Sequence, residues 1–374
     1  MQRIIIKIGS KILTKPDGSF NNSAMAGLVK DIAAIKNELK LEIALVSSGA
    51  VALGKSIKAL KKFEVNSAAV KYDKQILKEQ ILAAAGQPKL MASYINEFEK
   101  YKFNCAQILA TRAVFADRPA YLSIRTVTEN LLKLNVIPIF NENDSLAPEE
   151  LDFSDNDQLA GMVAAMLTAD KLIILSNVDG VYEDIADAKG KVIPVIEKAA
   201  NYLKNIDDSK SQGKGGMRSK LIIADLMNSL GIDMHIANGT NKKIISKILS
   251  HETIGTYFPA KSKKYKALKN WLATAAVSRG KIYVSTYLAD LLNKKQTASV
   301  LLAGIEKVEG GFSKGEVVGI YGDEGKLLGR GLARYDSADL LNKLVWYNKK
   351  SDLEKAKIKT ADVIAVHYDY FCFA

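Results

Sequence analysis

Two lysines, an aspartate and a glycine-rich loop carry most of the chemistry open to this sequence. Lys7 lies inside an apolar run, between Ile6 and Ile8, where a buried ammonium is costly without a partner. A salt bridge or an edge-strand position would account for it. So would contact with a phosphate at the strand's end, where the backbone at Gly9-Ser10 lets an anion come close. Gly213-Lys-Gly-Gly-Met-Arg-Ser-Lys220 leads straight into an apolar-periodic segment. Its glycines let the backbone wrap closely, and a helix N-terminus behind them adds partial positive charge. Lys220 falls in the first turn of that helix and can reach the same anion; an incidental lysine on a surface loop is the plainer reading. Asn141-Glu-Asn-Asp144 follows a strand-like run, and Asp155-Asn-Asp157 precedes a nearly all-apolar helix. Either cluster could be turn formers or caps. Together, at a strand end and a helix start, they fit a polar small-molecule pocket better. Convergent ammoniums and loop amides would position and neutralise a phosphate, as phosphoryl transfer requires.

Gly49-Ala-Val-Ala-Leu-Gly-Lys55-Ser56 satisfies the Walker A pattern and follows a strand. Against a P-loop there, Ala-Val-Ala-Leu suits a helix interior better than an anion-wrapping loop. No apolar strand ends in the Asp of a Walker B element: Val136–Phe140 runs into Asn141 and Lys171–Leu175 into Ser176.

The elements that must position these groups alternate. Ile4–Ile8, Glu42–Val46, Cys105–Leu109, Val136–Phe140, Lys171–Leu175 and Gly231–Ile236 read as strands. Met25–Leu39, Asp157–Thr168 and Lys220–Leu230 read as helices. Apolar strands alternating with helices predict an α/β domain over residues 1–258, its sheet mostly parallel and covered by helices on both faces. In such sheets ligands bind beyond the carboxyl ends of the strands. A lysine-rich connector spans 259–276. From 277 to 374 short β segments with glycine punctuation, among them Lys281–Val284, Glu316–Tyr321, Leu327–Leu332 and Val363–His367, predict a small β-rich barrel or sandwich.

Composition narrows the classes further. The 374 residues are 48% hydrophobic and 25% charged, which excludes wholesale disorder. Cys105 and Cys372 are too few for a disulfide scaffold or a four-thiolate zinc site, and three histidines make a His-rich metal site implausible. No signal-peptide pattern opens the chain, and no apolar run reaches the roughly 18 residues of a membrane helix. A cytoplasmic protein without membrane contact is expected. Of the net charge of +12, the part from Lys261 onward, with 20 Lys/Arg against 12 Asp/Glu, supplies +8. That imbalance suits a polyanion partner, or a solvated lysine-rich surface.

Taken in order, several stretches resemble the amino acid kinase family, and within it the branch that phosphorylates glutamate. They are Lys7-Ile-Gly-Ser10, Ser47-Ser-Gly-Ala50, Ala83-Ala-Ala-Gly-Gln87, Thr111-Arg112 with Asp117-Arg118, Asn141–Asp144, Asp155–Asp157, Ser176-Asn-Val-Asp-Gly-Val-Tyr182 and Gly213–Lys220. Gly310-Gly-Phe-Ser-Lys-Gly-Glu-Val317 and Gly331-Leu-Ala-Arg-Tyr335 resemble the PUA domain appended to that branch. The resemblance implies the amino acid kinase fold followed by a PUA-like barrel. It also implies ATP-dependent phosphorylation of the γ-carboxylate of L-glutamate to L-glutamyl 5-phosphate, the first step of proline biosynthesis, with Mg2+ accompanying ATP and no protein metal site.

By the same resemblance Lys7, Lys220 and Asp157 are catalytic, Asp157 organising the two lysines. Ser48, Asp144 and Asn156 bind glutamate. Lys7, Gly9, Ser176, Asn177, Lys214, Gly215, Gly216, Met217, Arg218, Ser219 and Lys220 form the ATP site. The chain departs from the family at Lys214 (usually Thr), Arg218 (small or apolar), Asn177 (Asp), Ser154 (Gly) and Ser123 (Asn). A homo-oligomer, dimer or tetramer, is implied, and the PUA-like domain suggests RNA contact. A sister kinase with another carboxylate or phosphate acceptor, or a mainly RNA-binding protein, are the alternatives.

Overall fold

A computed structural model describes residues 1–60, 73–146, 156–184, 189–203, 216–261, 267–322 and 325–374. The chain divides into two compact units, Met1–Lys264 and Tyr265–Ala374.

In the first unit the strands are β1 (Arg3–Ile8), β2 (Glu42–Ser47), β3 (Cys105–Ala110), β4 (Ile137–Glu142), β5 (Lys171–Ser176), β6 (Tyr182–Asp184), β7 (Lys189–Val192), β8 (Asp233–Asn238) and β9 (Thr256–Phe258). Among the described residues seven of them form one sheet in the order β3-β4-β2-β1-β5-β8-β9. Every neighbouring pair is parallel except β8 with β9. β6 and β7 make a separate antiparallel hairpin.

Alternation along β1 sorts its side chains between two helical layers. Ile4, Ile6 and Ile8 join Ile43, Leu45, Ile173 and Leu175 in a core shared with the helices Asn22–Leu39, Lys74–Glu99 and Ile244–Leu249. Ile5 and Lys7 point to the opposite face, which carries the helix Asn156–Met166. That alternation is why a lysine can stand between Ile6 and Ile8 without entering the main core.

The order of the strands supplies the site. From β1 the chain moves out through β2, β3 and β4 on one side, then crosses to β5 and β8 on the other. The connections therefore diverge at the carboxyl end of β1, the switch point at which open α/β sheets bind ligands.

Helix Lys74–Glu99 lies directly on the short helix Ala50–Lys55. A Cβ on Gly86 would come within 1.8 Å of the Ala50 carbonyl oxygen, and one on Gly54 within 2.0 Å of that of Leu82. Only glycine permits this approach, and it presses the long helix against the turn that carries Ser48.

The second unit has β10 (Gly280–Val284), β11 (Val300–Leu301), β12 (Ile305–Glu309), β13 (Val317–Tyr321), β14 (Leu327–Leu332), β15 (Ile364–Val366) and β16 (Phe371–Phe373). Five of these form the sheet β12-β10-β13-β14-β16, antiparallel except for β10 with β13, and β11 pairs with β15. Ile282, Val284, Val318, Ile320 and Phe371 belong to a core of its own. The stretch read as a connector contains the helix Ala267–Thr274, whose Trp271 and Leu272 are buried.

Candidate active site

At the carboxyl end of β1, the Lys7 ammonium pairs with Oδ1 of Asp157, and Lys220 Nζ meets Oδ2 of the same carboxylate at 2.9 Å. Asp157 is fully buried, and both lysines are nearly so at 6% and 5% exposure. Three elements deliver them: β1, the first turn of Asn156–Met166 and the first turn of Met217–Leu230. Burial pushes the Asp157 carboxyl up, but the two ammoniums and their hydrogen bonds outweigh it and hold it below its ordinary value. The triad has a net charge of +1 in a dry setting, so an anion brought against it is favoured.

On the β2–β4 side lies a chain of amides and hydroxyls. Asn156 Nδ2 donates to Ser48 Oγ at 2.8 Å and to Asn141 Oδ1 at 3.1 Å. Asn141 Nδ2 donates to Gln87 Oε1 at 2.8 Å. Ser47 Oγ meets the Tyr94 hydroxyl at 2.7 Å. Gly49, with a φ of 113°, makes the left-handed turn that takes the chain from β2 into the next helix and leaves Ser48 at the strand's end. Asp144 sits half-buried in the turn after β4, three residues beyond Asn141.

The β5–β8 side is more open. Gly9 donates its N–H to the Leu175 carbonyl at 3.1 Å, and a Cβ there would lie 3.8 Å from Lys7 Nζ and 4.0 Å from the Ser176 Cα. Gly9 thus leaves room beside the Lys7 ammonium, with Ser176 adjoining. Asn177 is exposed, and Ser176 accepts from the Gly239 N–H at 2.9 Å. Gly216 caps the helix Met217–Leu230 in extended conformation. Met217 and Ser219 are half-buried and Arg218 is exposed. The Ser219 hydroxyl is buried without a hydrogen-bond partner among the described residues. Lys214, Gly215, Ser154 and Asp155 lie outside the described residues.

The structure thus gathers Lys7, Asp157 and Lys220 at the centre, Ser48 and Asn156 on one side, and Gly9 and Ser176 on the other. Asn141, from the cluster read as pocket lining, also belongs to the β2–β4 side, and so does Gln87, to which residue chemistry alone gives no role. The signal for Gln87 is a polar side chain on the buried face of a helix. The Walker A match is not a phosphate loop: Ala50–Lys55 is helical, and Lys55 is exposed.

A helix N-terminus whose first turn holds the orphaned Ser219 hydroxyl and brings Lys220 onto Asp157 suits a phosphate chain. Both oxygens of Asp157 are already paired with ammoniums. A magnesium ion would therefore be held chiefly by the phosphates themselves. Among the described residues no cluster of His, Cys, Asp and Glu could hold a metal, and no helix is long and apolar enough to cross a membrane.

Residues 2–238 match the amino acid kinase family and residues 280–344 the PUA domain. The chain is 38% identical over 339 residues to a glutamate 5-kinase of Chlorobaculum tepidum, covering 89% of this chain and 90% of that protein. It is 35% identical over 374 residues to that of Bacteroides thetaiotaomicron, covering 98% and 97%. It is 36% identical over 341 residues to that of Thermus thermophilus, covering 91% and 89%. Among solved structures, UMP kinase from Bacillus anthracis aligns with a TM-score of 0.48 at 14% identity, over 70% of this chain and 97% of that one.

Proposed function

Because this chain belongs to the amino acid kinase family, with a PUA domain behind the kinase domain and glutamate 5-kinases as relatives along most of its length, we propose that it transfers the γ-phosphoryl group of ATP to the side-chain carboxylate of L-glutamate. The products are ADP and L-glutamyl 5-phosphate, and the reaction opens proline biosynthesis.

The observation that carries this reading is the Lys7–Asp157–Lys220 cluster, flanked by a polar pocket and by the N-terminus of the helix Met217–Leu230. The acceptor carboxylate, with an ordinary pKa near about 4.3, is ionised at neutral pH and attacks without a general base. Catalysis then consists of bringing two anions together in line and neutralising the charge that spreads over the transferred group. Lys7 and Lys220 do this, and Asp157, with one ammonium on each oxygen, keeps both in register between turnovers. Ser48, Asp144 and Asn156 hold glutamate. Gly9, Ser176, Asn177 and the loop Lys214–Lys220 hold ATP, with Lys7 and Lys220 reaching its phosphates. Bound with ATP, Mg2+ would supply further neutralisation of the phosphate charge.

The test is ADP release with Mg-ATP and L-glutamate, aspartate, N-acetylglutamate, carbamate or UMP as acceptor. Glutamate-dependent release, trapped as a hydroxamate by hydroxylamine, is expected; turnover with another acceptor alone would overturn the substrate. Asp144→Ala is expected to raise KM for glutamate and leave that for ATP nearly unchanged.

A second reading concerns the C-terminal unit. Tyr283 and Tyr321 stand side by side on neighbouring strands, ring centroids 5.6 Å apart. Lys307 lies over the first ring and Lys281 over the second, each at 5.6 Å. Aromatic rings beside exposed lysines suit the bases and phosphates of single-stranded RNA. A homo-oligomer, dimer or tetramer, is part of the same family reading and is measurable by sedimentation.

A further inference from the structure

Asn156 has one half of its carboxamide in use and the other half unpaired among the described residues. Its Nδ2 donates to Ser48 Oγ, to Asn141 Oδ1 and, at 3.3 Å, to the backbone carbonyl of Ser47. Its Oδ1 is buried and has no hydrogen-bond partner among the described residues. Turning a carboxamide over exchanges donor for acceptor, so the direction of this group decides what it can recognise.

Two backbone groups set that direction. The Ser47 carbonyl can only accept, which keeps the Asn156 nitrogen turned toward β2. The Glu142 N–H can only donate, and it donates to Asn141 Oδ1 at 2.9 Å. With Asn141 Oδ1 committed to Glu142 and to Asn156 Nδ2, the Asn141 nitrogen must face away, where it finds Gln87 Oε1. Asn141 and Gln87 are buried at 3% and 8% exposure, so water cannot readily stand in for either partner. Gln87 is held at this depth by its neighbour Gly86, whose contact with the Ala50 carbonyl seats the helix.

We propose that Gln87 and Asn141 are positioning residues that lock the Asn156 carboxamide with its oxygen toward the acceptor substrate, so that the site selects an α-ammonium group. The proposal rests on the glutamate reading above. A buried acceptor left unpaired is unfavourable, and a substrate ammonium satisfies it. An acceptor of the same length without the amine leaves it orphaned. With the lock removed, the carboxamide can turn over and present its NH2, and the selection weakens.

The experiment compares L-glutamate with glutarate, which keeps both carboxylates and lacks the amine. The ratio of the glutarate inhibition constant to the KM for L-glutamate is measured in the parent, in Gln87→Met, which keeps the length and loses the acceptor, and in Gln87→Glu, which keeps an acceptor oxygen. In Gln87→Met the ratio is expected to fall at least about tenfold, as for a site that loses its hydrogen-bond discrimination. KM for ATP should stay within about twofold, because a relay on the β2–β4 side gives no reason for ground-state binding of ATP to change. Gln87→Glu should keep the parent's ratio. Asn141→Leu removes the lock one side chain nearer and should give the same fall, so the test stands even if Gln87→Met does not fold. A raised KM for L-glutamate with an unmoved ratio would mean that Gln87 only supports packing, and overturns the proposal alone. A parent without glutamate-dependent turnover overturns the glutamate reading, and the proposal with it.

Discussion

Asp157 carries two ammoniums on one buried carboxylate, and the balance of charge around it sets how the site behaves. Its carboxyl lies below the ordinary value despite burial, because Lys7 and Lys220 favour the ionised form. Its folded value is thus below the unfolded one of about 3.9, so its stabilisation is complete above that pH and is lost as the pH falls through the folded value. At neutral pH the triad is therefore intact, and Lys220 can be judged by its charge on the transition state. Lys220→Ala is expected to lower kcat at least about a hundredfold, as for loss of one such contact. Steady-state turnover checks this; near-normal kcat would remove Lys220 from the site. A second buried group, away from the triad, behaves differently. His235 stacks on Tyr257 with ring centroids 4.6 Å apart. Burial, with the Lys171 ammonium and His251 nearby, pushes its imidazole down to about 3. The unfolded chain takes up that proton near about 6.5. Folding stability linked to His235 is therefore full above that pH and falls as the solution is acidified toward about 3. His235→Phe keeps the stack and removes the proton site, so urea midpoints should decline less steeply between pH 6.5 and 4 in the variant than in the parent.

Elements bring these residues within reach by two kinds of contact. The sheet's register sets the carboxyl ends of β1, β2, β4 and β5 along one edge, and helix starts close over them. The helix pair Ala50–Lys55 and Lys74–Glu99 then fixes the β2–β4 side through backbone contact at Gly54 and Gly86. That pairing also explains why a Walker A pattern is present without a Walker A site. Gly54 serves close packing, Ala52 and Leu53 are buried, and Lys55 faces out. Lys55→Ala should accordingly leave turnover within about twofold, since exposed substitutions away from special features are usually close to neutral. Lys7→Ala should abolish most of it. The opposite pattern in a paired kinetic assay would restore the P-loop reading. The helix Lys74–Glu99 itself contains Pro88, which by local rules argues against a continuous helix at that point. Its buried face, with Leu82, Ala83, Leu90, Met91, Tyr94 and Phe98 in contact with the sheet and its neighbours, outweighs the lost backbone bond.

At the scale of the whole molecule, each of the two units has its own core, and their chemistry differs. The first unit presents a central cationic cluster to an anion. The second carries exposed lysines placed over tyrosines on a sheet face. If that face holds RNA, affinity for a single-stranded oligonucleotide should fall steeply with salt, with a slope of about −0.7 per phosphate contacted. Lys281→Glu with Lys307→Glu should reduce binding and flatten that slope. Retention by a resin-bound oligonucleotide that is indifferent to salt and to these changes would remove RNA from the second unit. Self-association is a separate property, read from sedimentation of the full chain.

Much of the frame was legible in the residues alone. Apolar runs of β-branched residues alternating with helical spacing specify a covered, mostly parallel sheet, because burial on both faces leaves no polar stripe. A lysine near the end of β1 and glycines ahead of a helix are residue types that point to an anion. What only the tertiary structure decided is which of these places meet. Asp157 and Lys220 are 63 residues apart, and Gln87 and Asn141 are 54 apart. Sequence periodicity records which face of an element is buried, but not which element covers it. Strand order, the seating of Gly86 on Ala50 and the direction of each buried amide come from long-range packing. So β9, the antiparallel strand at the sheet's edge, and the relay from Gln87 to Asn156 leave almost no local trace. A glutamine on a helix looks the same to local rules whether it faces water or orients an amide two side chains away; only the packed fold separates the two.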